Sequence, residues 1–186
     1  MKSLFSFFLL IFSLTAQAQM EFGLVGGLQS GQAETDLSGA SAKTRLGYHF
    51  GGLAYLPLQK SWGLRSGLIY NQRYTTLEPT LSGKVDMDFA YFDVPLTPML
   101  KFSGAGGVFA GPVLAFNQSK DVTCSQRANC AAVDVKSFLL PLQVGVQFRF
   151  LPQMGAELFF EYISGELATN VSNMKTVGAS FLFYFE

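Results

Sequence analysis

The stretch SFLLPLQVGVQFRF, residues 137–150, alternates with a period of two along its whole length. Phe138, Leu140, Leu142, Val144, Val146, Phe148 and Phe150 fall on one side, and Ser137, Leu139, Pro141, Gln143, Gly145, Gln147 and Arg149 on the other. Side chains alternate across a strand but recur every three or four residues on a helix, so the stretch is extended. It is also long. Strands of soluble proteins run to about five or six residues, whereas a tilted strand crossing a hydrocarbon layer about 25 Å tall uses roughly ten. Lipid is therefore the candidate neighbour of the apolar face.

Composition points the same way. Charged residues make up 14% of the chain, against about 25% in ordinary globular proteins, while aromatics reach 15% with 19 phenylalanines. A 186-residue chain has the length of one domain, and its core is too small to absorb that apolar surplus. Lys+Arg and Asp+Glu balance at 13 each and form no basic cluster among aromatics, so nucleic acid is not expected as a partner.

The first residues, MKSLFSFFLLIFSLTAQAQ, carry Lys2, an apolar run from Leu4 to Leu14, and small residues at Ala16 and Ala18. This is the layout of a secretory signal peptide, and the run is too short to span a bilayer. Residues 1–18 are read as the leader and 19–186 as the mature domain. No later apolar run has the length of a transmembrane helix, so a membrane fold must be a closed barrel, which alone satisfies every backbone group in lipid.

Eight extended segments follow, at about 20–30, 44–57, 62–75, 85–102, 107–117, 136–150, 154–165 and 174–186. The tight connections LQKSW, SGAG and LPQMG alternate with the longer polar GQAETDLSGASAK, TLEPTLSG, SKDVTCSQRANCAAVD and ATNVSN. Short turns at one rim and long loops at the other describe an eight-stranded antiparallel up-and-down transmembrane β-barrel with both termini on the periplasmic side. In the last segment Val177, Ala179, Phe181, Phe183 and Phe185 share the apolar, lipid-facing side, opposite Thr176, Gly178, Ser180, Leu182 and Tyr184.

The mixed faces look into the lumen, which in so narrow a barrel is filled by side chains. By parity Glu21, Arg45, His49, Arg65, Arg73, Asp93, Arg149, Glu157 and Glu161 point inward. Buried charge is costly unless paired, so these residues are expected to form a mixed-sign network. Inward glycines at 23, 27, 47, 51, 63, 67, 145 and 178 are expected to make room for Arg and Tyr. Trp62, Tyr70, Tyr74, Tyr162 and Tyr184 are candidates for the interfacial aromatic girdles, or for lumen filling.

At GLRSGLIYNQRY, YFDVPLTPMLKF and GVFAGPVLAFNQS the chain resembles the PorT-like outer-membrane β-barrel family, through Tyr70 to Gln72, Tyr91 to Leu96 and Ala110 to Pro112. The resemblance covers about residues 62–117. It implies an eight-stranded outer-membrane barrel but no single activity. The closing FLFYFE is similar to the aromatic C-terminal strand read by the barrel-assembly machinery, with the departure that Glu186 follows Phe185.

Candidate chemistry is sparse. Cys124 and Cys130 bracket SQRAN in the longest loop and, in an oxidising envelope, are expected to form a disulfide. His49 is the only histidine, which disfavours a metal site there; no Gly-x-Ser-x-Gly motif accompanies it, and no serine is placed beside it and an acid. Glu157 and Glu161, four residues apart on a strand, are about 13 Å apart and too distant for a carboxylate dyad. No catalytic residue, cofactor or metal is expected. The expected partners are outer-membrane lipid, the barrel-assembly machinery, and an envelope protein or extracellular ligand reached through the loops. A structural or binding barrel is favoured over a lipid A-modifying enzyme and over a soluble lipocalin-like carrier, whose apolar face would point inward.

Overall fold

The computed structural model describes residues 20–35, 40–79, 85–102, 105–124 and 134–185. These residues form strands β1 (Glu21–Thr35), β2 (Ala40–Pro57), β3 (Trp62–Pro79), β4 (Val85–Pro95), β5 (Thr97–Phe102), β6 (Gly106–Cys124), β7 (Phe138–Leu139), β8 (Leu142–Leu151), β9 (Met154–Ala168) and β10 (Val171–Phe185). All pairings between them are antiparallel, and each wall strand pairs with its neighbours in the chain. The pairing of β1 with β10, from Phe22 opposite Phe185 to Thr35 opposite Val171, closes the ring.

β4 and β5 are one wall strand interrupted at Leu96, and β7 and β8 another interrupted at Leu140 and Pro141, so the wall has eight strands. The interruptions coincide with Pro95, Pro98, Pro112 and Pro141, which have no N–H for the ladder. The gaps are bridged by the Leu96 amide donating to the Pro112 carbonyl at 2.9 Å and the Val113 amide donating to the Pro141 carbonyl at 2.8 Å.

The strands run further than alternation predicts at the end away from the termini. β1, β2, β3, β6 and β9 gain residues there, and ATNVSN, read as a long loop, is a two-residue turn at Thr169–Asn170. Asn170 (φ 63°) and Asn173 (φ 49°) take left-handed conformations that Asn tolerates, and the register slips between Val171 and Met174. Beyond the apolar band the outer face turns polar, as at Asp86, Asp88 and Glu166, while Met87, Phe89 and Leu167 stay buried inside, so the apolar-outward pattern that marks a membrane strand is lost while the hydrogen bonds continue. Glu34 shows such an end, accepting from Asn173 at 3.0 Å and Lys175 at 3.2 Å.

Buried and exposed residues alternate along the strands of the ring. Phe138, Leu140, Leu142, Val144, Phe148, Phe181, Phe183 and Phe185 are exposed and Val146 half-exposed on the outside. The inside holds three apolar clusters. One, at the end away from the termini, includes Leu77, Met87, Phe89, Ile163, Leu167, Val171 and Met174. The others, nearer the termini, gather Val25, Leu53, Ile69, Leu182 and Tyr184, and Tyr55, Met99, Phe109 and Phe159.

Candidate functional site

The polar groups of the lumen are set by parity on the wall strands and joined across the interior. On β3, Arg65 donates to both carboxylate oxygens of Glu157 on β9, at 2.9 and 2.8 Å, and reaches Gln143 at 3.4 Å. Eight residues further along β3, Arg73 bridges Asp93 at 2.8 Å and Glu161 at 2.7 Å. Asn71 donates to Asp93 at 2.7 Å and accepts from Gln29, so β1, β3, β4 and β9 are tied through one connected group. Such charges have left water entirely, and their attraction offsets that loss only because the geometry is close and multiply hydrogen-bonded. Each inward cation also lies over an aromatic face: Arg65 over Phe109 at 4.3 Å, Arg73 over Tyr91 at 5.2 Å, Lys101 over Tyr55 at 3.7 Å and Arg149 over Tyr184 at 4.0 Å.

His49 is buried with its Nε2 2.9 Å from Ser180 Oγ. Sequence reading placed no serine beside it. The register explains the meeting: Gly27 of β1 lies between His49 of β2 and Ser180 of β10, and with no side chain on Gly27 the two neighbours touch across it. A Cβ on Gly27 would stand 2.8 Å from His49 Nε2. Among the described residues the His49 Nδ1 has no hydrogen-bond partner and no acid completes a catalytic triad; the ring packs edge-on against Phe159 at 5.3 Å. The cavity between His49, Arg65, Asn71, Asp93 and Glu157 measures about 20 Å³, the room of a single water.

The glycines serve mainly rings and not guanidinium groups. Around one level of the wall, Phe109, Gly145, Phe159 and Gly178 are successive cross-strand neighbours, and a Cβ on either glycine would strike the adjoining phenylalanine. Gly63 likewise leaves space for Tyr55.

Arg45 departs from its expected inward position. The register between β2 and β3 shifts between Thr44 and Tyr48, giving β2 an extra residue. Its guanidinium pairs with Asp88 at 3.3 Å and Asp86 at 3.5 Å and lies over Tyr74 at 5.0 Å. Those three residues alternate with the inward Met87, Phe89, Arg73 and Thr75, so Arg45 belongs to the outer rim. A bulge rotates side chains relative to simple parity. Of the aromatic girdle candidates, Trp62 is exposed and Tyr70, Tyr74 and Tyr162 half-buried on the outer face, whereas Tyr184 is buried in the lumen. Cys124 ends β6, but its side chain and the whole of Cys130 lie outside the described residues, as do residues 1–19 and Glu186.

Glu21 stands at the mouth of the lumen at the terminal end, accepting from Lys101 at 2.7 Å and 3.5 Å from Arg149. Sequence reading missed Gln29, Asn71, Lys101 and Ser180 as network members; all four share the inward parity of their strands, which is the signal that finds them. Among the described residues no cluster of metal-ligating side chains converges.

A closed antiparallel ring with an apolar exterior and a charged, paired interior defines the class of integral outer-membrane β-barrels. The chain belongs to the outer membrane protein beta-barrel domain family, whose profile matches residues 15–173. It is similar in structure to Neisserial surface protein A, with a TM-score of 0.53 at 13% identity, over 88% of this chain and 97% of that one. Ail, the attachment invasion locus protein of Yersinia pestis, gives a TM-score of 0.47 at 18% identity over 88% and 99% of the two chains. OprG of Pseudomonas aeruginosa gives 0.46 at 13% identity over 89% and 96%. No curated protein matches the chain by sequence.

Proposed function

We propose that the protein is a structural or partner-binding barrel that acts through the strand ends and loops on the outer side of the membrane, and not as a channel. The observation that carries this is the filled lumen: Arg65–Glu157 and Arg73–Asp93–Glu161 cross it, and an apolar cluster around Leu77, Phe89 and Leu167 packs above them. Solvent-facing function then falls to the rims. In this reading residues 1–18 are the exported leader, 19–186 form the barrel, both termini face the periplasm, and the barrel-assembly machinery inserts it. The PorT-like subfamily is favoured by the residues between 62 and 117. The Cys124–Cys130 loop, closed by a disulfide, is the element we assign to an envelope protein or extracellular ligand.

A lipid A-modifying enzyme is the second reading, since a serine and a histidine do meet. Burial of His49 and Ser180 speaks against it, because a lipid substrate has no route to them. The carrier alternative fails on the exposed apolar exterior.

Two measurements test the proposal. Purified protein in planar bilayers should give no stepwise conductance; reproducible channel steps would overturn the filled-lumen argument. A photo-crosslinker at Lys120 on whole cells should yield a defined adduct with an envelope component, and one at Gln59 in a tight turn should not. The reverse pattern would invert the topology.

A further inference from the structure

The mouth of the lumen at the terminal end encloses a cavity of about 330 Å³ whose polar lining is Glu21, Lys60, Ser61, Lys101, Gln147, Arg149 and Tyr184. Among the described residues it differs in its balance from the ion pairs elsewhere in the barrel. Inside the barrel Arg65 meets one carboxylate and Arg73 meets two. At the opposite rim Lys43 pairs with Glu78, Lys175 with Glu34, and Arg45 with two aspartates. Among the described residues lining this cavity, three cations face one carboxylate, that of Glu21.

Two of the three cations are held in place. Lys101 Nζ is fixed by Glu21 and by the Tyr55 ring, and Arg149 stacks on Tyr184, whose hydroxyl accepts from Gln147 Nε2. The backbone of Lys101 donates to the Ser61 carbonyl at 2.7 Å, which docks the turn carrying Lys60 beside the Lys101 strand. Lys60 is exposed and the Arg149 Nε is buried without a hydrogen-bond partner among the described residues. A concave wall of low dielectric lined by excess charge of one sign focuses its field on an incoming counter-ion. The volume lies at the small end of the roughly 300–1,000 Å³ range of ligand pockets.

We propose that this cavity binds a small soluble dianion, a phosphate- or dicarboxylate-bearing solute. Two ammonium groups and a planar guanidinium fork supply the donors such groups take, and a dianion neutralises the excess charge. The cavity lies within the ring, whereas lipid headgroups lie around its outside, so a soluble ligand fits better than a membrane-anchored one. Only the ligand's source in the periplasm rests on the topology proposed above.

The test uses the full chain refolded in uncharged detergent, so its outcome does not depend on that topology. Inorganic phosphate and succinate are titrated separately at constant ionic strength in chloride, following the side-chain N–H resonances of the arginines. Saturable shifts at Arg149 are expected from at least one of them. Lys60→Ala, on an exposed turn, should weaken binding by about two- to fivefold, the range of an exposed ion pair. Glu21→Gln removes the competing carboxylate and should tighten it, and Lys175→Ala at the far rim should change nothing. Unsaturable shifts with both probes, equal effects of Lys60→Ala and Lys175→Ala, or weakening by Glu21→Gln would each overturn the site. So would binding seen only when phosphatidylglycerol is added to the micelles, which would assign the cavity to a lipid headgroup.

Discussion

Arg73 concentrates the energetic risk of the lumen in one side chain. It is about 1% exposed and neutralises two buried carboxylates. Arg73→Met should therefore destabilise the barrel by about 3–5 kcal/mol, the cost of leaving buried charge uncompensated. Urea titration of the folded band in detergent measures it. The Arg65–Glu157 pair offers the complementary experiment. Glu157→Met alone should be strongly destabilising, while Arg65→Met with Glu157→Met should recover most of the loss, since the cost comes from the orphaned charge and not from the absent bond. If the double variant is as unstable as the sum of the singles, the two residues are not acting as a pair.

Strand faces carry the membrane assignment. Val144 sits on the exposed side of β8 and Gln147 on the side that lines the mouth. Val144→Arg should impair assembly, at about 2–4 kcal/mol for a cation in the lipid midplane, whereas Gln147→Arg enters a polar cavity and should be tolerated. Refolding yield into vesicles compares them, and equal tolerance would reverse the faces. The strand ends beyond the apolar band obey aqueous rules instead. Hydrogen bonding to Asn173, with Lys175, holds the Glu34 carboxyl below the usual carboxylate range. A carboxylate lowered in the folded state contributes fully above its ordinary pKa and loses that contribution as pH falls through the lowered value. Amides where β1 meets β10 near Glu34 should exchange faster with solvent in that acid window, and the Glu34→Gln variant should lose the pH dependence.

The ring as a whole is held by backbone hydrogen bonds, with Phe22 to Thr35 locked onto Val171 to Phe185. A sheet closed on itself has no edge from which to unzip, so the folded protein should migrate differently from boiled protein on a cold detergent gel. β6 ends at Cys124, and the residues that follow it up to 133 lie outside the described residues. Replacing Cys124 and Cys130 with serine should leave the band shift intact while making the loop easier to cleave by protease added to cells. A disulfide there would restrain the unfolded chain by something on the order of 2–3 kcal/mol in the chain-entropy model, and the expected outcome is a wall that forms without it. Failure of the double variant to form a barrel would contradict that separation.

Alternation alone was enough to read the strands, their faces and the direction of most charged side chains, because which side of a strand a residue occupies is a local property of the pleat. It failed where the backbone departs from strict pleating, at the bulge that turns Arg45 to the outer rim and at the Thr169–Asn170 turn, where register shifts between Val171 and Met174 break the two-residue repeat. Partners were beyond it. Arg65 and Glu157 are 92 residues apart, and His49 and Ser180 are 131. They meet because ring closure sets the stagger of every strand against the next, and only that stagger decides which inward residues share a level. The same closure places Lys60, Lys101 and Arg149, from three separate parts of the chain, around one cavity. Parity determines that a side chain points inward; the register of the closed sheet decides what it finds there.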